Sequence, residues 1–159
     1  MVSNFDFENA LSKSDQFLGV FSADHLDKYV FRGAFKSMQY VIINTEPIGS
    51  KRVGHWISLS RYLDKNGKVI LECFDSFGWP IKLFHQNIKD AIRNARFDVF
   101  VTNNKILQHP KSNYCGVYII ARFLGLFTKS NFTDFLSHFT SDLAGNDTQV
   151  ERYISMITK

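Results

Sequence analysis

The chain is poor in cysteine and proline and has no long hydrophobic run, and each shortage excludes a class of protein. Cys73 and Cys115 are its only cysteines among 159 residues, too few for a disulfide framework, and no Cys/His set has the spacing of a zinc site. An intracellular pair of this kind reads as two free thiols. Nowhere do about 18 uncharged apolar residues run together, which argues against a membrane span. The first stretch, MVSNFDFENALSKSDQ, is acidic and amphipathic and lacks the basic and apolar regions of a secretory signal. The expected location is therefore intracellular. With three prolines, nine glycines and no linker, repeat or low-complexity tract, nothing marks a second domain, and residues 1–159 are expected to form one. Lys and Arg outnumber Asp and Glu by 19 to 15, for a net charge of +4. These basic residues are scattered, so they read first as solvated surface and only second as a polyanion contact.

What is present is an ordinary globular composition, 45% hydrophobic and 21% charged, with 16 phenylalanines to fill a core. A helix is expected near 4–14, capped by Asn4 or Ser3, with Phe7, Ala10 and Leu11 at helical spacing. FLGVFS (17–22) and MQYVIIN (38–44) read as strands, rich in β-branched and aromatic residues. RVGHWISLSRYL (52–63) and KVILECFD (68–75) flank DKNG, a hairpin signal. A helix over about 81–94 and a strand over 96–103 follow. Residues 115–128, CGVYIIARFLGLFT, are apolar almost all round, as in a helix packed on several sides. Short helices are expected near 131–139 and 147–158, the latter from Thr148 and Glu151 in a capping-box pattern. Central strands and terminal helices give an α+β domain around a largely antiparallel sheet.

Cys115 opens the most hydrophobic helix. It is either a buried filler or a nucleophile, and the start of a helix is where the dipole lowers a thiol pKa. A nucleophilic cysteine needs a base, a group to orient that base, and donors for an oxyanion. Of five histidines, His55 is the one expected inside a strand, on a face with Val53, Ile57 and Leu59, where an imidazole needs a polar partner. Asp75 is the candidate, or else an ordinary strand-end turn residue. A three-residue loop, Lys65-Asn66-Gly67, sets Asp75 opposite Ile57 and diagonal to His55. A two-residue Asn-Gly turn sets it opposite Ser58, on the wrong face. Gln108, otherwise a loop glutamine, offers an amide to an oxyanion beside the Cys115 N–H. Cys73 shares Asp75's face and reads as packing.

Taken in order, GHW, FDSFGW and QHPKSNYCG resemble the adenovirus-type (adenain-like) cysteine proteases, which are related to the SUMO-deconjugating proteases. FLGVF and QYVIINT resemble the same family's early segments, and the likeness covers roughly residues 15–127. It implies a papain-like fold: a central mixed, mostly antiparallel sheet flanked by helices, with the nucleophile at the N-terminus of the central helix. It also implies His55 as general base, Asp75 as its orienter, Cys115 as nucleophile and Gln108 as oxyanion donor, with Trp56, Gly54 and Gly116 lining the substrate cleft and no metal.

The activity so implied is a viral-type endopeptidase maturing virion precursors at Gly-Gly or Gly-X sites. The second reading is a deconjugase of ubiquitin-like proteins, and a third an inactive interaction or DNA-binding module. The resemblance calls for no cofactor, while allowing activation by DNA or a viral peptide. It implies a protein substrate, no membrane partner, a monomer, and residence in the host nucleus or virion. The chain departs from the family in having Tyr114 before Cys115, Asp rather than Glu at 75, and no cysteine near Phe97 for a disulfide-linked activator.

Overall fold

The hairpin at the centre of the chain decides where the site residues fall. Strand β3, Trp56–Leu63, pairs antiparallel with β4, Val69–Phe74. Leu63 faces Val69 and Leu59 faces Cys73, so the loop is the three-residue one, with Gly67 in the left-handed region at φ +79°. Asp64 donates its N–H to the Lys68 carbonyl at 2.9 Å, and its side chain accepts the N–H groups of Asn66 and Lys68. Only glycine takes that φ without strain.

A computed structural model provides the rest of the architecture and describes residues 2–11, 16–33, 38–52, 54–103, 105–124 and 131–157. Strands β1 (Phe17–Ser22), β2 (Gln39–Asn44), β3, β4 and β5 (Val99–Thr102) lie in that order in one sheet. Both central pairings are antiparallel and both outer ones parallel. The sheet is therefore mixed, antiparallel at its centre, as the expected fold class has it. Long connections carry β1 to β2 and, through helix α2 (Gln86–Asn94), β4 to β5; a hairpin cannot make either parallel pair.

Alternation sends Tyr40, Ile42 and Phe74 to one face and Val41, Ile43, Ile57, Leu59, Leu71 and Cys73 to the other. The first face packs against α1 (Asn4–Leu11), α3 (Cys115–Leu124), α4 (Phe132–Ser137) and α5 (Leu143–Ile157), and the second against α2. On the α3 face β3 presents the small Ser58 and Ser60, both fully buried. Beside them the carboxylate of Glu72 on β4 takes both Nε (3.2 Å) and Nη2 (2.8 Å) of Arg122 on α3, and the Tyr62 hydroxyl at 2.8 Å. This buried clamp ties the central helix to the sheet.

Several expected boundaries shift for local reasons. Ser3, not Asn4, caps α1: its Oγ accepts the Asp6 N–H while Asp6 accepts the Ser3 N–H, a reciprocal box. The helix expected over 81–94 divides into a 3₁₀ turn, Ile81–Leu83, and α2, whose start is capped by His85 Nδ1 accepting the Asn87 N–H. Helix α5 begins at Leu143, four residues before expectation. Asp142 caps it by accepting the Gly145 N–H, and Thr148 instead bonds the Ala144 carbonyl inside the helix. A Cβ at position 145 would stand 2.3 Å from the Asp142 carboxylate, so this cap requires glycine. Residues 12–14, 125–128 and 158 of the expected helices lie outside the described residues, as does Val53. No described helix is long and apolar enough to cross a membrane.

Candidate active site

Four adjacent strands reach one end of the sheet, and the residue just beyond each end is polar. Thr45 follows β2, His55 precedes β3, Asp75 follows β4 and Asn103 follows β5. His55 thus stands immediately outside its strand rather than within it. All four are buried.

The row is cross-linked. His55 Nε2 lies 3.2 Å from Asp75 Oδ1, without the alignment of a hydrogen bond. On the other side of the ring, Nδ1 lies 3.4 Å from Thr45 Oγ1, which also accepts the His55 backbone N–H at 3.1 Å. The Thr45 N–H in turn donates to the His55 carbonyl at 2.9 Å. Asp75 is held from two directions. Its carboxylate accepts the N–H groups of Phe77 (2.9 Å) and Trp79 (3.1 Å), while Asn103 accepts its N–H and donates to its carbonyl. The turn this creates passes through Gly78 at φ +65°, where a Cβ would sit 3.1 Å from the Lys105 carbonyl oxygen. Trp79, Phe77 and Phe84 surround the imidazole, with Trp79 edge-on at 4.2 Å between ring centroids.

Cys115 is the first residue of α3 and arrives at the same sheet end from the opposite face. Its Sγ accepts the backbone N–H of Trp56 at 3.4 Å, so the thiol is bonded to the residue next to His55. Among the described residues no hydrogen bond joins the thiol to the imidazole. Burial pushes the Cys115 pKa up, and the N–H groups of Trp56 and Gly116 offset this only in part. The lowered pKa expected of a helix start is thereby reversed: with Cys115 only 8% exposed, desolvation outweighs the helix terminus. Cys73 is buried and is pushed up further, by burial first and then by the nearby Asp75 and Glu72.

Gln108 is fully buried. Its amide Nε2 donates to the Ser112 carbonyl (3.0 Å) and hydroxyl (2.9 Å), and its Oε1 accepts the Ser76 hydroxyl at 2.6 Å. Both amide hydrogens thus go to Ser112 rather than toward the thiol. The loop around it is fixed by α5 and α3. Asn146 Nδ2 donates to the Leu107 carbonyl at 2.9 Å, and the Tyr118 hydroxyl, 3.1 Å from that carbonyl, donates its one proton to Asp147 at 2.7 Å.

Trp56 packs its ring edge against Phe7 at 5.0 Å and donates its indole N–H to the Val2 carbonyl at 3.1 Å. Gly116 lies under the same residues: a Cβ there would meet Val2 Cβ at 2.6 Å and the Phe7 ring at 3.1 Å. Gly54 meets the Asn44 side chain, 2.1 Å from where its Cβ would be. Among the described residues no group of three or more His, Cys, Asp and Glu side chains is placed to hold a metal ion.

Sequence reasoning missed Thr45, Asn103 and the Asn146–Asp147 pair. Each is a polar residue at an element's end, a weak signal that also marks ordinary turns. Asn103 alone carried a usable hint, an amide closing the apolar run VFVT.

No family model matches the chain, and no curated protein matches it in sequence. Among solved structures it is similar to the ASFV pS273R protease, with a TM-score of 0.53 and 15% identity over 94% of this chain and 66% of that one. A weaker likeness, TM-score 0.35 and 16% identity, links 71% of it to 38% of the Legionella pneumophila effector protein RavZ. The chain thus spans just under two thirds of the first protein and under two fifths of the second. What the first likeness shows is the fold: an α+β arrangement, a mixed five-stranded sheet flanked by helices, shared with a solved protease.

Proposed function

We propose that this chain is a cysteine endopeptidase of the adenain-like type, acting on protein precursors at sites with small residues. The observation that carries the reading is the meeting at one sheet end of the His55–Asp75 contact and the Cys115 thiol, bridged by the Trp56 backbone. In this mechanism Asp75 holds Nε2, leaving Nδ1, on the Thr45 side, to take the thiol proton as Sγ attacks the carbonyl. Burial raises the Cys115 pKa, and in this mechanism His55 removes the thiol proton as a general base during the attack. The Cys115 N–H at the helix start stabilises the oxyanion. Gln108 joins it once its amide exchanges Ser112 for the oxyanion. The imidazolium then protonates the leaving amine, and water hydrolyses the thioester to acid and free thiol.

The test is mass spectrometry after treatment with a Gly-Gly aldehyde or a ubiquitin-like vinyl sulfone. An adduct on Cys115 that disappears in His55→Ala is the expected result. An unmodified Cys115 in a folded protein that still alkylates with small reagents would overturn it. Reaction with the vinyl sulfone in preference to the peptide aldehyde would replace the endopeptidase by a deconjugase. DNA as an accessory activator rests only on the net charge of +4. It predicts binding that weakens steeply with salt.

A further inference from the structure

The chain's own N-terminal segment covers the Trp56 side chain and Gly116, two residues that flank Cys115. Three contacts define the cover. The Val2 carbonyl accepts the Trp56 indole N–H at 3.1 Å. The Val2 side chain lies over Gly116, so close that a Cβ on 116 would stand 2.6 Å away. Phe7 closes the other edge, with its ring 5.0 Å from Trp56 and fully buried. Trp56 and Gly116 are also two of the three residues, with Cys115 itself, whose backbone N–H groups face the Cys115 sulfur. Val2 is therefore within one residue of the thiol on two sides.

The contacts are those of a bound peptide: a main-chain carbonyl on an indole donor, and a small branched side chain on a surface left open by glycine. We infer that Val2 sits in a substrate subsite, and that this subsite takes a small aliphatic residue whose carbonyl accepts the Trp56 N–H. The segment Val2–Ser3 is then a built-in competitor of the substrate. The inference rests on the endopeptidase reading, since it takes the occupant to be a peptide substrate. It departs from that reading's resemblance-based expectation, because the space holds a valine where a Gly-Gly cleft would hold none. Gly116 determines the size limit: any larger residue there fills the space Val2 now uses.

The anchoring of α1 allows a clean experiment, because Phe7, Leu11 and the Ser3–Asp6 box hold the helix without Val2. Val2→Gly, and a chain lacking residues 1–2, are compared with the parent for the rate at which iodoacetamide alkylates Cys115. The shortened chain is expected to react about tenfold faster, the scale of one lost hydrogen bond plus part of a buried side chain, and Val2→Gly, which keeps the carbonyl, about threefold faster. Next, acetyl-Met-Val-Ser-Asn-amide and its Gly-for-Val analogue are titrated onto the shortened chain carrying Cys115→Ala, with the Trp56 indole N–H followed by NMR. The valine peptide is expected to bind about tenfold more tightly, and Gly116→Ala, whose methyl takes the space of the valine side chain, to abolish the difference. Unchanged alkylation in both Val2 variants, or equal binding of the two peptides, overturns the inference. Neither readout needs turnover. Selective binding without any probe adduct on Cys115 would keep the subsite and discard the endopeptidase reading.

Discussion

Glu72→Ala is expected to destabilise the protein by about 3–5 kcal/mol, the usual cost of breaking one half of a buried ion pair. The structure supplies the reasons for so large a figure. The carboxylate is fully buried and the guanidinium of Arg122 nearly so, and two hydrogen bonds at 2.8 and 3.2 Å join them. A third, from the Tyr62 hydroxyl, reaches the same carboxylate. Alanine leaves the Arg122 charge among the rings of Phe123, Phe132 and Phe135; their faces attract a cation but do not replace a carboxylate. Glu72→Gln keeps the shape and an acceptor for Tyr62, so it should lose only about 1.5–3 kcal/mol. The double variant Glu72→Leu/Arg122→Met should come back to within about 1 kcal/mol of the parent, since no charge is left buried. Urea unfolding followed by circular dichroism measures all three. A Glu72→Ala protein within about 1 kcal/mol of the parent would refute the reasoning, because it would mean that Arg122 finds solvent without Glu72. The clamp also spans the site, since Arg122 follows Cys115 by two helical turns and Glu72 lies on the strand that leads to Asp75. Loss of probe labelling at Cys115 in Glu72→Gln, while the protein is still folded, is the functional counterpart.

Three further expectations follow from the site and its hairpin. The Cys115 pKa is raised above the unfolded thiol's value of about 8.5, so the native state holds its proton to higher pH. The stability this contributes is present below that value and is lost as pH rises through the folded pKa. Iodoacetamide labelling should therefore keep accelerating above pH 8.5, and a plateau near neutrality would contradict it. Thr45→Val removes the hydroxyl that faces His55 Nδ1 and accepts its backbone N–H; it should lower probe labelling of Cys115 about tenfold and shift its pH profile. Thr45→Ser should restore both, and equal profiles for Val and Ser would show the hydroxyl to be idle. Gly67→Ala should cost about 1 kcal/mol in urea unfolding, since alanine is strained at φ +79°, while Asn66→Ala should cost less.

The hairpin was legible from DKNG and from the alternation that fixed the faces, but its loop length stayed open between two and three residues until the pairing of Leu63 with Val69 and the left-handed Gly67 put Asp75 opposite Ile57. Helix α3 was legible as a run apolar all round. The parallel outer pairings were not, because β1 and β5 find their partners through long connections that carry no pairing signal. The start of α5 was misplaced because Asp142 and Thr148 both look like caps, and only tertiary contacts turn Asn146 and Asp147 inward to the Leu107 loop. At the site, residue order drew His55, Asp75, Gln108 and Cys115 together. Thr45 and Asn103 escaped because a single threonine or asparagine at a strand end is the commonest kind of turn residue. The direction of the Cys115 shift escaped for another reason: it depends on how much water reaches the sulfur, which tertiary packing decides.

The placement of Thr45, His55, Asp75 and Asn103 one step outside the strands has a consequence for how this domain can change. None of the four is a rung of the β-ladder, so exchanging a side chain there leaves every strand pairing standing. Reactivity and scaffold are thus separable by single substitutions. A descendant that swapped His55 or Asp75 for an inert residue would keep its shape and its surface, free to be retained for binding after its chemistry was gone.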